Sequence, residues 1–347
     1  MKASSHQALP GSPARPRSDP AEGGGSASTG PGGGAPGAGG EGGGSPAVPW
    51  AEGGDGFGGV PPEALAPAAP GYWQEAWRRL RRNPLAMAGL VVIGLMVLAA
   101  AIGPVLSPYG YDEQVLAEAN QPPSAAHWFG TDHLGRDILT RVLYGARISL
   151  AVGIMASLIG LTIGVAYGAI AGFYGGVVDN VMMRVIDVIY GLPFILYVVL
   201  LMVVLGPGLD NVFIALGAVY WTGMARIVRG EVLSLKQREF VLAARVMGVP
   251  PWRVVWRHLV PNAIGPILVT MTLLVPEAIF SEAFLSYLGL GVQAPIASWG
   301  VLAAEGNRAL RAAPWALFFP ATFICITMLA FNFLGDGLRD ALDPRLR

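Results

Sequence analysis

The sequence has few residues that could form disulfides, hold a metal or carry charge. Among its 347 residues, Cys325 is the single cysteine and only 13% are charged, with 23 basic residues balancing 23 acidic ones. One cysteine excludes an intrachain disulfide and a zinc site built from several thiolates. The balanced charge provides no basic field for phosphates, so we expect no nucleic-acid partner.

Lysine is almost missing as well, since Lys2 and Lys236 are the only two. A Walker A loop, G-x-x-x-x-G-K-[ST], uses its lysine to reach the phosphates, and neither lysine follows such a loop. The sequence also contains no G-x-S-x-G nucleophile elbow and no H-E-x-x-H metal-binding helix. We therefore predict that the chain is not an enzyme and does not itself hydrolyse ATP.

Long uncharged apolar stretches dominate the rest of the chain. The hydrophobic share of 53% and the mean hydropathy of +0.51 are too high for an ordinary soluble domain. About 20 helical residues cross a bilayer, so we predict an all-α membrane protein with six transmembrane helices. They are expected at 85–106, within 148–178, at 188–209, at 211–225, from 261 to about 288, and at 314–335.

The first 70 residues differ from the rest in being rich in Gly, Pro, Ala and Ser. Their few large apolar side chains do not offset the entropy of folding, so we predict a disordered tail over 1–70. The first transmembrane helix and an extracytoplasmic segment are expected at 71–145, a core of five helices at 146–338, and a short C-terminus at 339–347.

Basic residues are distributed unequally between the two sides of the predicted helices. Fifteen fall on one side, seven of them between Arg226 and Arg257, and five fall on the other. Because basic residues near span ends stay in the cytoplasm, we predict that the richer side is cytoplasmic. Both termini and the loop 230–262 then lie in the cytoplasm, and the protein is a multi-pass protein of the cytoplasmic membrane.

The loop 230–262 has the pattern of two short helices. Apolar and small residues recur at helical spacing over 240–247, and Gly248 suits the end of this helix. A second helix is predicted over 251–261, with a proline in its first turn. Small residues allow close approach and aromatic residues offer anchors, so we interpret this pair of helices as a docking surface for a cytosolic partner. A DNA-reading role is not favoured, because a helix pair tethered between two spans lacks the context of such a motif.

This loop resembles the cytoplasmic EAA loop of ABC importer permeases, through Ala243-Ala244, Gly248 and His258-Leu259-Val260-Pro261. Further motifs resemble those of dipeptide and oligopeptide permeases, so that the resemblance covers about residues 72–347. These motifs are WRRLRRNP at 77–84, FGTDHLGRD at 129–137, GARISL at 145–150, EAFLSYLGLGV at 282–292 and AFNFLGDGLRDALDP at 330–344.

The resemblance implies a type I ABC importer permease fold with a cytoplasmic coupling helix and no cofactor in this chain. It implies import of dipeptides or oligopeptides by the transmembrane subunit of a binding-protein-dependent transporter, and a nickel or other small-solute importer is the alternative. The implied partners are a second permease subunit, two ATP-binding subunits that carry ATP and Mg, an extracytoplasmic peptide-binding protein and the lipid bilayer. The residues implied in coupling are Glu239, Ala243, Ala244, Gly248, His258 and Pro261.

Three acidic or substituted positions lead to further expectations. Leu242 stands where the EAA loop has its glutamate, so Glu239 is a candidate for that contact. Glu277 and Glu282 fall within a predicted span, where an ionisable group is costly unless it is paired or faces water, so both are candidates for the translocation path. For Glu282, which matches the family pattern, packing and helix pairing are the favoured alternative. As the acid and base of a membrane enzyme they would converge poorly, because five residues separate them by about 140° around a helix.

The motif FGTDHLGRD lies in the segment predicted to be extracytoplasmic. We expect Asp132, Arg136 and Asp137 to form an ion-paired turn that leads into a helix along the outer membrane face. A metal site made by His127, Asp132 and His133 is the alternative, although the family motif favours a structural role. The extracytoplasmic residues predicted to matter are Asp132, Gly135, Arg136 and Asp137, and no metal is expected.

Overall fold

The computed structural model describes residues 71–293 and 295–343, and this part of the chain is almost entirely helical. Its helices are α1 (Tyr72–Arg82), α2 (Pro84–Leu106), α3 (Ile138–Tyr174), α4 (Gly176–Tyr190), α5 (Phe194–Leu205), α6 (Leu209–Leu235), α7 (Glu239–Val246), α8 (Pro251–Val254), α9 (Val260–Asn262), α10 (Ile264–Tyr287), α11 (Trp299–Arg308) and α12 (Trp315–Leu342). The tail predicted to be disordered, 1–70, lies outside the described residues.

Within the described residues, five helices are long and apolar enough to cross a membrane, namely α2, α3, α6, α10 and α12. The helices α4 and α5 meet that test only together, across a bend of 81°. The break falls at Gly191-Leu192-Pro193, because the proline ring disfavours a helical conformation of the residue before it. The span predicted at 188–209 is therefore the second part of a broken helix that begins at Gly176.

The helices α3 and α6 lie side by side and run in the same direction. A Cβ atom added to Gly160 would lie 3.5 Å from the Tyr220 backbone, and one added to Gly172 would lie 2.9 Å from the carbonyl oxygen of Arg229. The contacts thus advance together along both helices. Two parallel spans require the chain to return across the membrane between them, so α4 and α5 form one crossing. The described chain crosses six times, as predicted.

Six crossings place α1 and the end of α12 on the same side of the membrane. Ala76 of α1 packs there with Val269 and Leu342. We call this side the α1 side, and it also holds α7, α8 and α9. The opposite side, which we call the α11 side, holds the segment 107–137 and α11.

The beginning of α3 differs from the prediction of a separate helix along the outer membrane face. The helix α3 is continuous over 37 residues from Ile138, so that prediction is wrong. Arg141 and Val142 in its first turns are buried. The charge of Arg141 is tolerated there because acidic groups of the protein pair with it. Asp137 caps the helix by accepting a hydrogen bond from the Thr140 N–H at 2.7 Å.

The apolar core lies where α3, α6 and α10 meet. Val152, Leu216 and Met224 are completely buried there. By contrast, α2 and α12 expose large apolar side chains such as Leu95 and Phe318. These two helices therefore have the surface of spans that contact lipid.

Candidate functional site

The segment between α6 and α10 forms a hydrogen-bonded helical unit on the α1 side. The helix α7 ends at Val246, and Gly248 follows its last turn, as predicted, with a φ of +76°. Its N–H donates to the carbonyl of Arg245 at 3.0 Å, and the N–H of Val249 donates to the carbonyl of Ala244 at 3.1 Å. These two bonds form a Schellman motif, which needs a left-handed residue at this point. The turn from α7 to α8 is therefore set by Gly248.

One face of this unit packs onto the membrane-spanning helices. Val241, Ala244 and Leu259 are buried, and the Arg245 guanidinium lies 4.9 Å from the ring centroid of Phe173 near the end of α3. Such a contact between a cation and an aromatic face is attractive. The unit is thus attached to α3 by apolar packing and by this pair.

The other face of the unit is apolar and exposed. Val246 is 90% exposed and Met247 is 74% exposed. Large apolar groups exposed together are typical of a surface that binds another protein. We call this surface the docking face, and its residues are Phe240, Leu242, Val246, Met247 and Trp252.

The second helix of the unit continues further than predicted. It begins at Pro251, as expected, but a π-helical turn at Val255–Leu259 follows, and α9 continues the helix past Pro261. Pro261 lies two residues after the π-helical turn, within this continued helix. Among the predicted coupling residues, Ala244 is buried and His258 is half-buried, and the exposed ones are Glu239, Ala243, Gly248 and Pro261.

On the α11 side, four charged side chains form a buried network. Asp132 Oδ2 accepts hydrogen bonds from Arg136 Nε at 2.7 Å and from Arg141 Nη1 at 2.6 Å. Glu305 Oε2, from α11, accepts from the same two arginines at 3.0 and 2.6 Å. The predicted Asp132–Arg136 pair is present, and the fold adds the other two members. The network connects the loop before α3, α3 itself and α11.

The network favours the ionised form of Asp132. Burial alone would disfavour that form, but the charges of Arg141 and Arg136 and two backbone N–H groups outweigh burial, and the pKa of Asp132 is lowered from its usual value. A group with a lowered pKa stabilises the fold above its unfolded pKa, which is about 3.9 for aspartate. That contribution disappears as the pH falls through the lower pKa of the folded protein.

We accordingly expect acidification below about pH 4 to remove the contribution of Asp132 to stability. Unfolding of the purified chain in detergent, followed between pH 6 and pH 3, checks this. Because Asp132→Ala lacks the titrating group, its stability should decline less steeply over this range than that of the unsubstituted chain. Equal slopes for the two proteins would contradict the assignment.

The same carboxylates do not favour a metal ion. Ligand atoms of Asp132, His133 and Glu305 lie within 4.8 Å of one another. The two carboxylates already accept hydrogen bonds from arginines, however, and the guanidinium charges repel a cation. The geometry therefore supports a structural network rather than the metal alternative.

Asp137 is paired with His127 instead of joining the arginine network. His127 Nδ1 lies 3.0 Å from Asp137 Oδ1, and its Nε2 lies 3.3 Å from Glu118 Oε2. The imidazole ring also packs against Tyr109, with 4.6 Å between ring centroids. Asp137 thus fixes both the start of α3 and the loop that precedes it.

Gly135 lies against the backbone of Val115, and we expect Gly135→Ala to destabilise the protein strongly. Its φ is +74°, and an added Cβ atom would overlap the Val115 carbonyl group, which is backbone and cannot simply rotate away. Thermal unfolding of the purified chain measures the loss. Gly289→Ala is the matched control, because Gly289 has a φ of +80° with no atom near its added Cβ. A similar loss in both variants would indicate backbone strain alone.

The two glutamates of α10 lie in different surroundings. Glu282 is completely buried. Its Oε1 accepts hydrogen bonds from Ser286 Oγ at 2.7 Å and Ser298 Oγ at 2.6 Å, and its Oε2 accepts from Ser149 Oγ at 3.3 Å. Because these serines belong to α10, the N-cap of α11 and α3, Glu282 joins three helices and does not face an open path in this structure.

Glu277, by contrast, lies on an exposed face of α10. Among the residues that the structure describes, none forms a hydrogen bond or an ion pair with its carboxylate. Since one glutamate is enclosed and the other faces outward, the two do not converge on a common substrate. The arrangement does not support the hypothesis of a membrane enzyme.

Two ion pairs join the bent helix pair to α6, and the sequence analysis did not find them. Arg229 Nη2 donates to Asp179 Oδ2 at 2.6 Å, and Arg226 Nη2 donates to Asp187 Oδ1 at 2.8 Å. The Arg226 guanidinium also lies 4.1 Å from the ring centroid of Tyr190. The signal in the sequence was the presence of two aspartates in α4, which need partners if they lie near a membrane.

Comparison with known families agrees with this architecture. Residues 160–347 match the family described as the binding-protein-dependent transport system inner membrane component. The chain belongs to this family. Residues 71–123 match a second model, the N-terminal TM domain of oligopeptide transport permease C. As a member of this permease family, the chain is a multi-pass membrane component of an ABC importer and not an ATPase.

Curated relatives of this permease cover most of its length. The dipeptide transport system permease protein DppC of Bacillus subtilis is 58% identical over 277 residues, which are 80% of this chain and 87% of that protein. The oligopeptide transport system permease protein OppC of the same organism is 54% identical, over 82% of this chain and 93% of that protein. The OppC protein of Escherichia coli K12 is 46% identical, over 79% and 92%.

Among solved structures, the permease resembles a chain of the MetNI methionine ABC transporter in an inward-facing conformation. The match has a TM-score of 0.49 and 19% sequence identity, and it covers 58% of this chain and 96% of that chain.

Proposed function

We propose that the chain is a transmembrane subunit of an ABC importer that moves dipeptides or oligopeptides across the cytoplasmic membrane. The observation that carries this proposal is the identity of 58% and 54% to permeases named for dipeptide and oligopeptide transport, over nearly their whole length. Substrate class follows such close relatives better than it follows the fold. The nickel alternative is not favoured, because these relatives are named for peptides.

In this proposal the α1 side is cytoplasmic and the α11 side is extracytoplasmic. The excess of basic residues on the α1 side supports this orientation. Two ATP-binding subunits, which hold ATP and Mg, would bind the complex from the α1 side, one of them on the docking face. A second permease subunit would complete the path, and an extracytoplasmic peptide-binding protein would deliver the peptide on the α11 side.

The contacts of the docking unit suggest how ATP-driven motion reaches the membrane. A displacement of the docking face is passed to α3 through the buried residues of α7 and through the Arg245–Phe173 contact. The close packing of α3 on α6 and the Asp179–Arg229 pair extend the same body to α6 and α4. Coupling between two sites requires such a contiguous element with two alternative positions.

Uptake by cells tests the substrate class directly. Cells lacking the chain and cells in which it is restored receive a labelled dipeptide, a labelled pentapeptide and nickel ion. We expect restoration to recover uptake of at least one peptide and not of nickel. Recovery of nickel alone would sink the peptide proposal, as would recovery of neither peptide in cells where the chain is shown to be in the membrane.

A further inference from the structure

Glu277 places an ionisable group near the middle of a span. The helix α10 runs from Ile264 to Tyr287, so at 1.5 Å per residue Glu277 lies about 20 Å from one end and about 15 Å from the other. Its side chain is exposed on the surface of the chain. A carboxylate at this depth is costly in contact with lipid. The exposed face around Glu277 therefore meets water or another molecule rather than acyl chains.

Within the described residues, no hydrogen bond or ion pair holds the carboxylate of Glu277. The hydroxyl of Tyr220 on α6 lies 2.9 Å from Ser281 Oγ within the protein. Five residues further along, Glu282 shows how this chain satisfies a buried carboxylate, with three serine hydroxyls. Among the residues that the structure describes, no comparable set of hydroxyl groups surrounds Glu277, so its oxygens are available to accept from a ligand.

Aromatic side chains share the face of α10 on which Glu277 lies. Phe280 is 55% exposed, Phe284 is 38% exposed and Tyr287 is 51% exposed. They follow Glu277 by three, seven and ten residues, which is the spacing of one helix face. An exposed strip thus combines one carboxylate with aromatic rings, and both kinds of group attract cations.

We propose that Glu277 binds a positively charged group of the peptide during translocation, either its N-terminal ammonium or a lysine or arginine side chain. This inference rests on the proposed function, because it assumes that a peptide passes this face. The strip then lines the path between this chain and the second permease. Glu277 gives the path a carboxylate that can accept from a cationic group, and the rings contact the apolar parts of the peptide.

Transport by the complete complex in liposomes, with its delivery protein, tests the assignment. Three peptides of equal length are compared: one containing lysine, one with norleucine in its place, and an N-acetylated form of the latter. The set is chosen so that the delivery protein binds all three with equal affinity. We expect Glu277→Gln to reduce, by about tenfold, the preference for lysine over norleucine or for the free over the acetylated terminus. The affected pair identifies the group.

Two controls separate the inference from its alternatives. Glu231→Gln removes a half-buried carboxylate from a different helix, α6, and should leave both preferences unchanged. Unaltered preferences in Glu277→Gln would overturn the assignment. Loss of the second permease subunit on purification of Glu277→Gln, with retention in Glu277→Asp, would also overturn it, because Glu277 would then pair with that subunit. Absence of peptide uptake by the unsubstituted complex would instead refute the proposed function itself.

Discussion

Replacing Gly248 by tryptophan is expected to abolish ATP-driven peptide uptake while leaving the chain inserted in the membrane. Among the described residues, no atom lies within 4 Å of a Cβ added to Gly248, so the indole would project from the surface beside Val246 and Met247. The left-handed conformation adds a cost of about 1–2 kcal/mol, which falls on the turn between α7 and α8. We expect uptake to fall more than tenfold, and ATP hydrolysis by the complex to stop responding to peptide.

Gly206→Trp is the matched control for this variant. Gly206 has a φ of +85° and also has no atom within 4 Å of its added Cβ, but it lies between α5 and α6 on the α11 side. The same strain and the same bulk are therefore introduced far from the docking face. Uptake should persist in this control. Normal uptake in Gly248→Trp, or an equal loss in both variants, would show that the docking face does not transmit the energy of ATP.

Removal of Asp132 is expected to have the largest effect on stability. In Asp132→Ala, Arg136 and Arg141 would share only Glu305, and the side chain of Arg141 is just 2% exposed. Breaking a buried charge network from one end costs about 3–5 kcal/mol, because a charge is left without its partner. For a chain of this size we expect the melting temperature to fall by about 10 °C.

Thermal unfolding of the purified chain, followed by its helical circular dichroism, measures this loss. Asp112→Ala is the control, because Asp112 is an exposed aspartate of the same segment on the α11 side, and we expect less than about 1 kcal/mol from it. If the two variants unfolded at the same temperature, the network would contribute nothing to stability, despite the short distances between its members.

Hydropathy was sufficient to locate the helices but not to describe their shapes. Apolar runs identified the six crossings, and Gly248 correctly marked the end of α7. The bend between α4 and α5 was not predicted, because both helices are apolar and the composition of an apolar stretch does not show where its helix axis changes direction. The surface helix predicted before α3 was wrong because Arg141 reads as a membrane boundary in sequence. Its partner Glu305 is 164 residues away, and no local pattern reveals that pairing.

The site residues show the same division between local and distant information. Sequence alone favoured packing and helix pairing for Glu282 and a role in the path for Glu277, but it could not name the partners of either. Their difference arises from serines on other elements, Ser149 on α3 and Ser298 before α11, which fold around one carboxylate and leave the other open. The Asp132–Arg136 pair was predictable because its members are four residues apart.

The contact between α3 and α6 limits how the subunit can change shape. Glycines recur every fourth residue along α3 at 160, 164, 168 and 172, and each faces α6. With backbone resting on backbone, neither helix can bend or slide without separating tightly packed atoms. The two helices therefore move as one rigid body, so opening the translocation path to the other side of the membrane requires that α3 and α6 rotate together. The bend at 191–193, between α4 and α5, is a joint that could absorb such a rotation.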